Sequence, residues 1–263
     1  MNLCGYSDTE VLLKAFIEYG ADVLKKLNGI FSFAIWNKRK KELFLARDQF
    51  GIKPLYYSIV DSTIIFASEI KAILEYPNIE IKIDKMGIGE LFGIGPSHTP
   101  GTGIFKGINE LEPAHFLVFN YSGIHVERYW KLKSKEHKDS FGKTCETIRD
   151  LLEDSISKQL ISDMPICTML SGGLDSSIIT AYASNYYKNK NLGLLDTFSV
   201  DYVDNDKNFV KSDFQPNSDN YYIDIMKRKF NTNHHDVIID TPELANTLED
   251  AMIARDYPRN GRC

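Results

Sequence analysis

The first apolar pattern in the chain has the three- and four-residue spacing of a helix. Hydrophobic residues recur in this way over Glu10–Leu27, and Gly20 interrupts them. Ser7 and Asp8 stand just before the pattern as candidate N-cap residues. Glu10 follows Ser7 at the spacing of a capping box, in which two residues bond reciprocally to each other's backbone amides. The sequence therefore predicts a capped helix that is interrupted at Gly20.

Short apolar runs then replace the helical spacing, and Lys-rich, Gly-Pro or Asp-Ser breaks separate them. Such runs are typical of strands joined by tight turns. Two short helices are predicted among them, over Glu69–Tyr76 and Asp84–Phe92, with Asp84 as the cap of the second. Residues 93–107 are rich in Gly and Pro and predict a loop. The predicted strands are Ile30–Trp36, Leu43–Ala46, Leu55–Val60, Thr63–Ala67, and the hairpin Ala114–Asn120 with Ile124–Tyr129.

The second half alternates between helical and strand patterns, which predicts a parallel sheet with right-handed crossovers. A polar segment with six charged residues, 131–139, separates it from the first half and indicates a domain boundary. Thr241 is expected to cap the last helix, with Pro242 as its first residue. The predicted strands are Pro165–Leu170, Leu194–Val200 and Asp236–Ile239, and the predicted helices are Phe141–Leu160, Leu174–Tyr187, Asp219–Phe230 and Thr241–Ala254.

Composition narrows the class of protein. The 263 residues are 43% hydrophobic and 25% charged, which is ordinary for a soluble globular protein. A net charge of -5 gives no electrostatic reason to expect nucleic acid or an anionic membrane as a partner. No apolar run is long enough to span a bilayer, and the start lacks a signal-peptide pattern. The four cysteines are widely spaced, so a cytoplasmic protein with reduced thiols is expected.

A glycine- and serine-rich heptad carries the sharpest chemical signal. Its two glycines leave the backbone bare where a phosphate can approach, and successive N–H groups at a helix start can cradle an anion. Its serines supply hydroxyl donors, and Asp175 is expected to hold Mg²⁺ against a polyphosphate. The alternative is a Gly-Gly turn with serine and aspartate caps. The heptad, which follows a predicted strand, consists of Ser171, Gly172, Gly173, Leu174, Asp175, Ser176 and Ser177.

This heptad lacks the lysine of ordinary P-loop NTPases and resembles the pyrophosphate loop of the ATP-pyrophosphatase superfamily. Those enzymes cleave ATP between its α and β phosphates and adenylate a carboxylate or carbonyl oxygen. The resemblance implies ATP and Mg²⁺ as cofactors. It also implies that Leu170 lies beside the nucleotide and that the main chain of Val200 pairs with the adenine edge. The strand Thr197–Val200 is thus expected to line the adenine pocket, and the alternative is a plain buried strand.

Three segments of the first half resemble glutamine-hydrolysing asparagine synthetases: Ser7–Val11, Leu27–Ala34, and Ala46–Tyr57 with the following Phe66–Ala72. The resemblance implies a mixed α/β and α+β chain in two domains. Residues 1–130 would form part of an αββα N-terminal-nucleophile glutaminase sandwich, a class II glutamine amidotransferase domain. Residues 131–140 would be a linker. Residues 141–263 would form part of a doubly wound parallel-sheet ATP-pyrophosphatase domain.

The resemblance assigns Asp8 to the α-ammonium group of glutamine, a charge-assisted contact, although a simple helix-capping role is the alternative. The family's nucleophilic cysteine should be the mature first residue, and none stands there. Cys4 is rejected for that role because it directly precedes Ser7–Val11, which belongs late in the glutaminase domain. No catalytic residue is therefore assigned. A later ATP-contacting loop and the aspartate-binding helices are also missing, so a chain truncated at both ends that binds ATP weakly at best is expected.

For an intact enzyme, the resemblance implies ATP-dependent amidation of aspartate through β-aspartyl-AMP, with ammonia from glutamine. Glutamine, aspartate and ATP would be the partners, without nucleic acid or membrane, and a homodimer is left open. The alternatives are a related amide-forming enzyme, similar to the β-lactam synthetases, and a non-catalytic product. Arg47 and Asp48 are expected to form an ion pair that places Gly51 and Pro54. The pair His234 and His235 precedes a strand without a third metal ligand in view.

Overall fold

The computed structural model of the protein describes residues 5, 7–94, 97–213 and 216–256. These residues divide into two compact units. One unit holds the described residues up to Ser134 together with those from Glu249 onward, and the other holds Lys135–Leu248. None of the helices within these described residues is both long and apolar enough to cross a membrane.

The first helix of the chain divides at Gly20, as its pattern predicts. Helix α1 is Asp8–Tyr19, and a 3₁₀ helix, Gly20–Lys25, continues it after Gly20 adopts a φ of 58°. Ser7 caps α1, because its hydroxyl accepts the Thr9 N–H at 3.2 Å. The Glu10 carboxylate accepts an N–H from Gly5 at 2.7 Å rather than from Ser7, so the expected capping box is wrong.

Two antiparallel sheets follow in this unit. The larger has the strand order β1-β2-β6-β7 and the smaller the order β4-β3-β5. Six of these strands match predicted runs, including the β6–β7 hairpin. The three-residue strand β5 has no predicted counterpart, because so short a segment gives no apolar run. The strands are β1 Ser32–Asn37, β2 Glu42–Arg47, β3 Tyr56–Val60, β4 Thr63–Ala67, β5 Ile108–Glu110, β6 His115–Asn120 and β7 Gly123–Arg128.

Strand β2 shows how the layers stack. Its side chains alternate between two apolar clusters, as a pleated strand requires. Leu43 and Leu45 pack with Leu55 and Leu111, which flank the strands of the smaller sheet, and so fill the space between the sheets. The opposite face of β2 packs against the first helical layer. That cluster consists of Phe44, Ala46 and Phe116 with Val23 and Leu24 of the 3₁₀ helix.

A helix also covers the outer face of the smaller sheet. Ile70 and Ile73, from helix α2 (Ile70–Leu74), pack against Tyr56 and Ile108 of that sheet. The order of layers is therefore helix, sheet, sheet, helix, which confirms the expected αββα arrangement. Helix α3 is Lys85–Gly89, and Asp84 caps it as predicted by accepting the Met86 and Gly87 N–H groups, each at 3.0 Å. A π-helical turn, Glu90–Ile94, follows.

The second unit contains a parallel three-stranded sheet in the order β10-β9-β8, which confirms the predicted alternation of helix and strand. Its core joins Ile156 of the first helix, and Leu160 directly after that helix, to Ala183 and Leu195. One short helix, Asn205–Asn208, has no predicted counterpart. The elements are α4 Phe141–Gln159, β8 Cys167–Met169, α5 Leu174–Lys190, β9 Asp196–Tyr202, α6 Asn205–Asn208, α7 Asp219–Phe230 and β10 Asn233–Ile239.

The last predicted helix is two helices, α8 (Thr241–Asn246) and α9 (Leu248–Ala254). The N-cap of α8 is Asp240, so the expected Thr241 cap is wrong. Asp240 accepts the Glu243 N–H at 2.7 Å, and the Glu243 carboxylate accepts the Asp240 N–H at 3.1 Å. This reciprocal pair satisfies two amides at once, which a Thr241 cap would not do with Glu243 at this spacing.

Candidate functional site

The heptad lies at the carboxyl end of β8, where the chain turns into α5. Leu170 is buried and donates its N–H to the Phe198 carbonyl of β9 at 2.7 Å, so it extends the pairing of the two strands by one residue. Helix α5 then begins at Leu174. The predicted strand–turn–helix setting of the heptad is confirmed, and it puts the turn at the sheet edge where ligands bind in open α/β folds.

The two glycines of the heptad serve different purposes. Gly172 has a φ of 78°, and a Cβ atom added to it would stand 2.7 Å from the Asp219 carbonyl oxygen at the start of α7. Its bare backbone therefore allows helix packing, and its role in the approach of a phosphate stays a prediction. Gly173 is different, because a Cβ atom there would meet only the Ser171 hydroxyl at an ordinary 3.5 Å. The open side of the turn is at Gly173.

Serine hydroxyls close the turn. The Ser176 hydroxyl accepts the Ser171 N–H at 3.2 Å, lies 3.1 Å from the Ser171 hydroxyl, and donates to the Gly173 carbonyl at 3.1 Å. The Ser177 N–H donates to the Gly173 carbonyl at 3.1 Å, which begins the helical hydrogen bonds. Ser176 thus holds the turn in shape, and its role as a donor to phosphate stays a prediction.

The N-terminus of α5 is open to an anion. Gly173 is its N-cap and has no side chain to accept the first-turn N–H groups, and no cap bond from a side chain is formed there within the described residues. A helix leaves its first N–H groups without backbone partners. The amides of Leu174, Asp175 and Ser176 are therefore available, and the helix dipole favours negative charge at this point.

Asp175 is exposed in the first turn of α5 and forms no ion pair with any described residue. The described part of the chain contains no group of three or more His, Cys, Asp or Glu side chains that could hold a metal ion. A cation at this site would therefore take one protein carboxylate and complete its shell from other oxygens. Mg²⁺ binds in this way in phosphate sites, through one or two carboxylates, phosphate oxygens and water.

The end of β9 borders the same edge of the sheet. The last paired residue of β8, Met169, stands opposite Phe198, and β9 continues beyond it. Val200 pairs with Val237 of β10 on one side, and no described strand pairs with it on the other. Val200 is 41% exposed, whereas Thr197 and Ser199 of the same strand are buried, so a contact between Val200 and adenine stays a prediction.

A polar cluster beside Val200 was missed by the sequence reasoning. The Asp201 carboxylate accepts amide N–H groups from Asn205 and Asn220, each at 2.6 Å, and the Tyr202 N–H at 2.8 Å. Burial raises the pKa of Asp201, but the hydrogen bonds from Asn220, Tyr202 and Asn205 outweigh it and hold the pKa below its ordinary value. The cluster fixes the start of α7 against the end of β9. Its signal was the run of polar residues directly after a predicted strand.

The first unit holds the other predicted site residue, Asp8. Asp8 is exposed, is the first residue of α1, and accepts the Thr9 N–H at 2.7 Å. Ser7 supplies the cap, so the role of Asp8 with glutamine stays a prediction. Cys4, which was rejected as a nucleophile, lies outside the described residues.

Arg47 and Asp48 do not pair with each other. Arg47 forms its ion pair with Glu110 at 2.8 Å and donates to the carbonyls of Gly51 at 2.8 Å and Lys53 at 2.7 Å. Asp48 accepts the N–H groups of Ile52 and Lys53, each at 3.0 Å. The expected Arg47–Asp48 ion pair is wrong, because the two side chains hold the following loop through separate sets of bonds.

The histidine pair belongs to the parallel sheet. His234 is 2% exposed in its side chain, and its ring nitrogens lie 2.8 Å from the Thr197 hydroxyl and 3.0 Å from the Ser199 hydroxyl. Asp236 also lies 2.9 Å from the His234 ring. Burial, and then the positive charge of Lys227, lower the pKa of His234 despite Asp236. Both ring nitrogens of His234 are bonded within the sheet, so His234 and His235 do not form a free pair of metal ligands.

Comparison with known proteins gives two family matches. Residues 2–130 match a family model described as a glutamine amidotransferase domain, and residues 147–263 match one described as asparagine synthase. A protein named asparagine synthetase [glutamine-hydrolyzing] 3, from Bacillus subtilis (strain 168), is 48% identical over 252 residues, which are 96% of this chain and 41% of that protein.

Two further comparisons are more distant. A putative asparagine synthetase [glutamine-hydrolyzing] 2 from Methanocaldococcus jannaschii is 33% identical over 256 residues, which are 96% of this chain and 47% of that protein. A solved Bacillus subtilis glutamine phosphoribosylpyrophosphate amidotransferase aligns with 90% of this chain and 56% of its own at 16% identity, with a TM-score of only 0.36. The chain spans less than half the length of the two synthetase relatives.

Proposed function

We propose, from the premise that this chain belongs to the glutamine-hydrolysing asparagine synthetase family, that its parallel-sheet unit binds ATP at the heptad. The observation that carries the proposal is the uncapped start of α5 behind the Gly173 turn, at the carboxyl edge of the sheet. We assign residues 1–130 to an amidotransferase domain, 131–140 to a linker, and 141–263 to a synthetase domain. The family matches over 2–130 and 147–263 support this division.

The nucleotide would lie along the sheet edge with its phosphates at the heptad. The N–H groups of Leu174 and Asp175 donate to phosphate oxygens, and Ser177 adds a hydroxyl. Leu170 contacts the nucleotide beside the turn. The unpaired main chain of Val200 pairs with the adenine edge, as its place beyond the end of β8 supports.

Asp175 would hold Mg²⁺ against the phosphates. The arrangement fits such an ion, because Asp175 is exposed, lies in the first turn of α5 and is free of ion pairs with described residues. When bound, the metal neutralises charge on the departing pyrophosphate. The amides of the heptad contribute to the same end, since they point at the negative charge without having to reorganise.

The reaction of the whole protein is part of the proposal. We infer ATP-dependent amidation of aspartate through β-aspartyl-AMP, with glutamine as the amide donor and Asp8 as the contact for its α-ammonium group. Adenylation converts a carboxylate, which is a poor electrophile, into an acyl group with a good leaving group. In that reaction, the residues of this chain bind the nucleotide. The assignment of aspartate as the acceptor rests on the family match alone.

We further propose a cytoplasmic location and a homodimer. Cys145 and Cys167 are exposed and free, as is usual in a reducing compartment. Light scattering of the purified chain tests the assembly, because the homodimer has twice the monomer mass of 30.0 kDa. A mass that stays at the monomer value across the concentration range would contradict it.

Calorimetric titration with ATP, in the presence and absence of Mg²⁺, tests the nucleotide site. Asp175→Ala should remove the gain in affinity that Mg²⁺ gives, by about tenfold in the dissociation constant. Asp150→Ala is the matched control, since Asp150 is also an exposed helical aspartate of the same unit. Binding that is indifferent to Asp175 and to Mg²⁺ would remove the metal role, and no binding of ATP at any concentration would remove the site.

A further inference from the structure

The heptad turn lies directly against the start of α7. A Cβ atom added to Gly172 would stand 2.7 Å from the Asp219 carbonyl oxygen and 3.4 Å from the Asp219 Cα atom, so the two backbones are in contact. Close-packed groups transmit a displacement, because no free space takes it up. A shift of α7 towards Gly172 deforms the turn, and a shift away removes its support. The shape of the turn therefore depends on where α7 begins.

The carboxylate of Asp201 holds the start of α7 on the sheet. Its Oδ2 accepts the side-chain amide of Asn220, in the first turn of α7, at 2.6 Å. Its Oδ1 accepts the Tyr202 N–H at 2.8 Å and the side-chain amide of Asn205 at 2.6 Å. Asp201 itself belongs to β9 and is fixed by the pairing of that strand with β10. Ser218, the N-cap of α7, forms no side-chain cap bond within the described part of the chain, so the bond from Asn220 is what anchors this helix end.

We propose that Asp201 is a positioning residue for the phosphate site. Through Asn220 and the start of α7, it keeps the turn at Gly172 in the shape that grips phosphate, and it does not touch the nucleotide itself. This inference rests on the proposed function of the heptad. Both oxygens of Asp201 already accept hydrogen bonds from the chain, which favours this indirect role over a direct contact with the ribose hydroxyls.

The sign of the effect separates this role from a simple charge effect. A carboxylate at this edge of the sheet repels phosphate, so loss of its charge alone should raise the affinity for an anion. In Asp201→Asn, the substituted amide can keep Tyr202 and Asn205 on its oxygen, but its nitrogen then faces the amide nitrogen of Asn220. Two donors cannot bond to each other, so α7 loses its anchor. The affinity for phosphate should therefore fall, against the direction that charge alone predicts.

Calorimetric titrations of the full chain with pyrophosphate and Mg²⁺, and separately with adenosine, test the proposal. Asp201→Asn should raise the dissociation constant of pyrophosphate on the order of tenfold, as expected for the loss of one bond to a charged group, and leave that of adenosine unchanged. A loss confined to adenosine would mean that Asp201 binds the ribose directly. That result would overturn the proposal, as would an equal loss for both ligands or no loss for either.

A reciprocal exchange distinguishes positioning from general damage to the fold. When Asn220→Asp is added to Asp201→Asn, the acceptor and the donor trade places and the bond to α7 forms again. The double variant should recover the affinity of the wild type for pyrophosphate. Asp224→Asn is the matched control, because it removes an exposed carboxylate from the same helix and should not weaken pyrophosphate binding. Failure of the exchange to restore binding, or an equal loss in Asp224→Asn, would contradict the role of Asp201.

Amide NMR of the chain without ligand tests the link independently of the nucleotide. Asp201→Asn should move the amide signals of Gly172 and Asp219, and the double variant should return them towards their wild-type positions. If these signals move but the wild type binds no pyrophosphate, the proposed nucleotide site is wrong and the link from Asp201 to the turn stands. If the Gly172 signal does not move, the link itself is refuted, whatever binds at the heptad.

Discussion

Gly172 lies so close to Asp219 that a Cβ atom added to the glycine would stand 2.7 Å from the Asp219 carbonyl oxygen. Contact between a turn and the backbone of another helix makes the shape of the turn depend on the position of α7. The Asp201 carboxylate in turn holds α7 through Asn220, at 2.6 Å. The end of β9, the start of α7 and the heptad are therefore joined by direct contacts.

Gly172→Ala is expected to destabilise the parallel-sheet unit by about 2 kcal/mol or more, because it combines a φ of 78° with the contact to α7. Gly173→Ala is the control: its φ is -71°, and its Cβ would make only an ordinary contact. Urea unfolding followed by circular dichroism measures both. If the two variants unfold at the same urea concentration, the claim that Gly172 is needed for close packing against α7 is contradicted.

Loss of the buried Arg47–Glu110 pair should destabilise the first unit strongly. Glu110→Ala leaves the Arg47 guanidinium, which is 6% exposed, without its counter-charge, at a cost of about 3 kcal/mol. Asp22→Ala breaks the exposed pair with Lys25 and should leave the unfolding midpoint unchanged. A small effect at Glu110 would contradict the claim that the buried guanidinium depends on this carboxylate.

His234 should make stability depend on pH. Burial lowers its pKa below the ordinary 6.5, so the unfolded chain takes up a proton at a higher pH than the folded chain does. Its contribution to stability is therefore full above pH 6.5 and is lost as the pH falls through the folded pKa. His234→Gln should flatten the stability curve below pH 6.5, measured by urea unfolding. Parallel curves for wild type and His234→Gln would refute this assignment.

Local patterns were enough to predict most of the elements. The apolar run Leu43–Ala46 predicted β2 because both faces of that strand are covered, and Asp84 was recognisable as a cap from its position alone. At α8 the same rule failed, because Asp240 and Thr241 are both capping residues. Only the reciprocal bond with Glu243 decides between them.

Contacts between residues far apart in the chain could not be predicted from the sequence. Glu110, the partner of Arg47 in the ion pair, lies in a strand too short to be recognised, so the sequence favours the neighbouring Asp48 instead. In the candidate site, the heptad was found because its chemistry is local. The packing role of Gly172 was not, because it depends on where the α7 backbone lies.

Amide NMR of the full chain during titration with ATP and Mg²⁺ is the most direct test of the claim that the heptad grips the nucleotide phosphates. The largest shifts are predicted at Leu174, Asp175 and Ser176, whose N–H groups lack backbone partners at the start of α5, with smaller ones at Val200. Adenosine, which has the base but no phosphates, should leave the first three unmoved. Shifts under ATP that bypass the heptad, or equal shifts there with adenosine, would contradict the account.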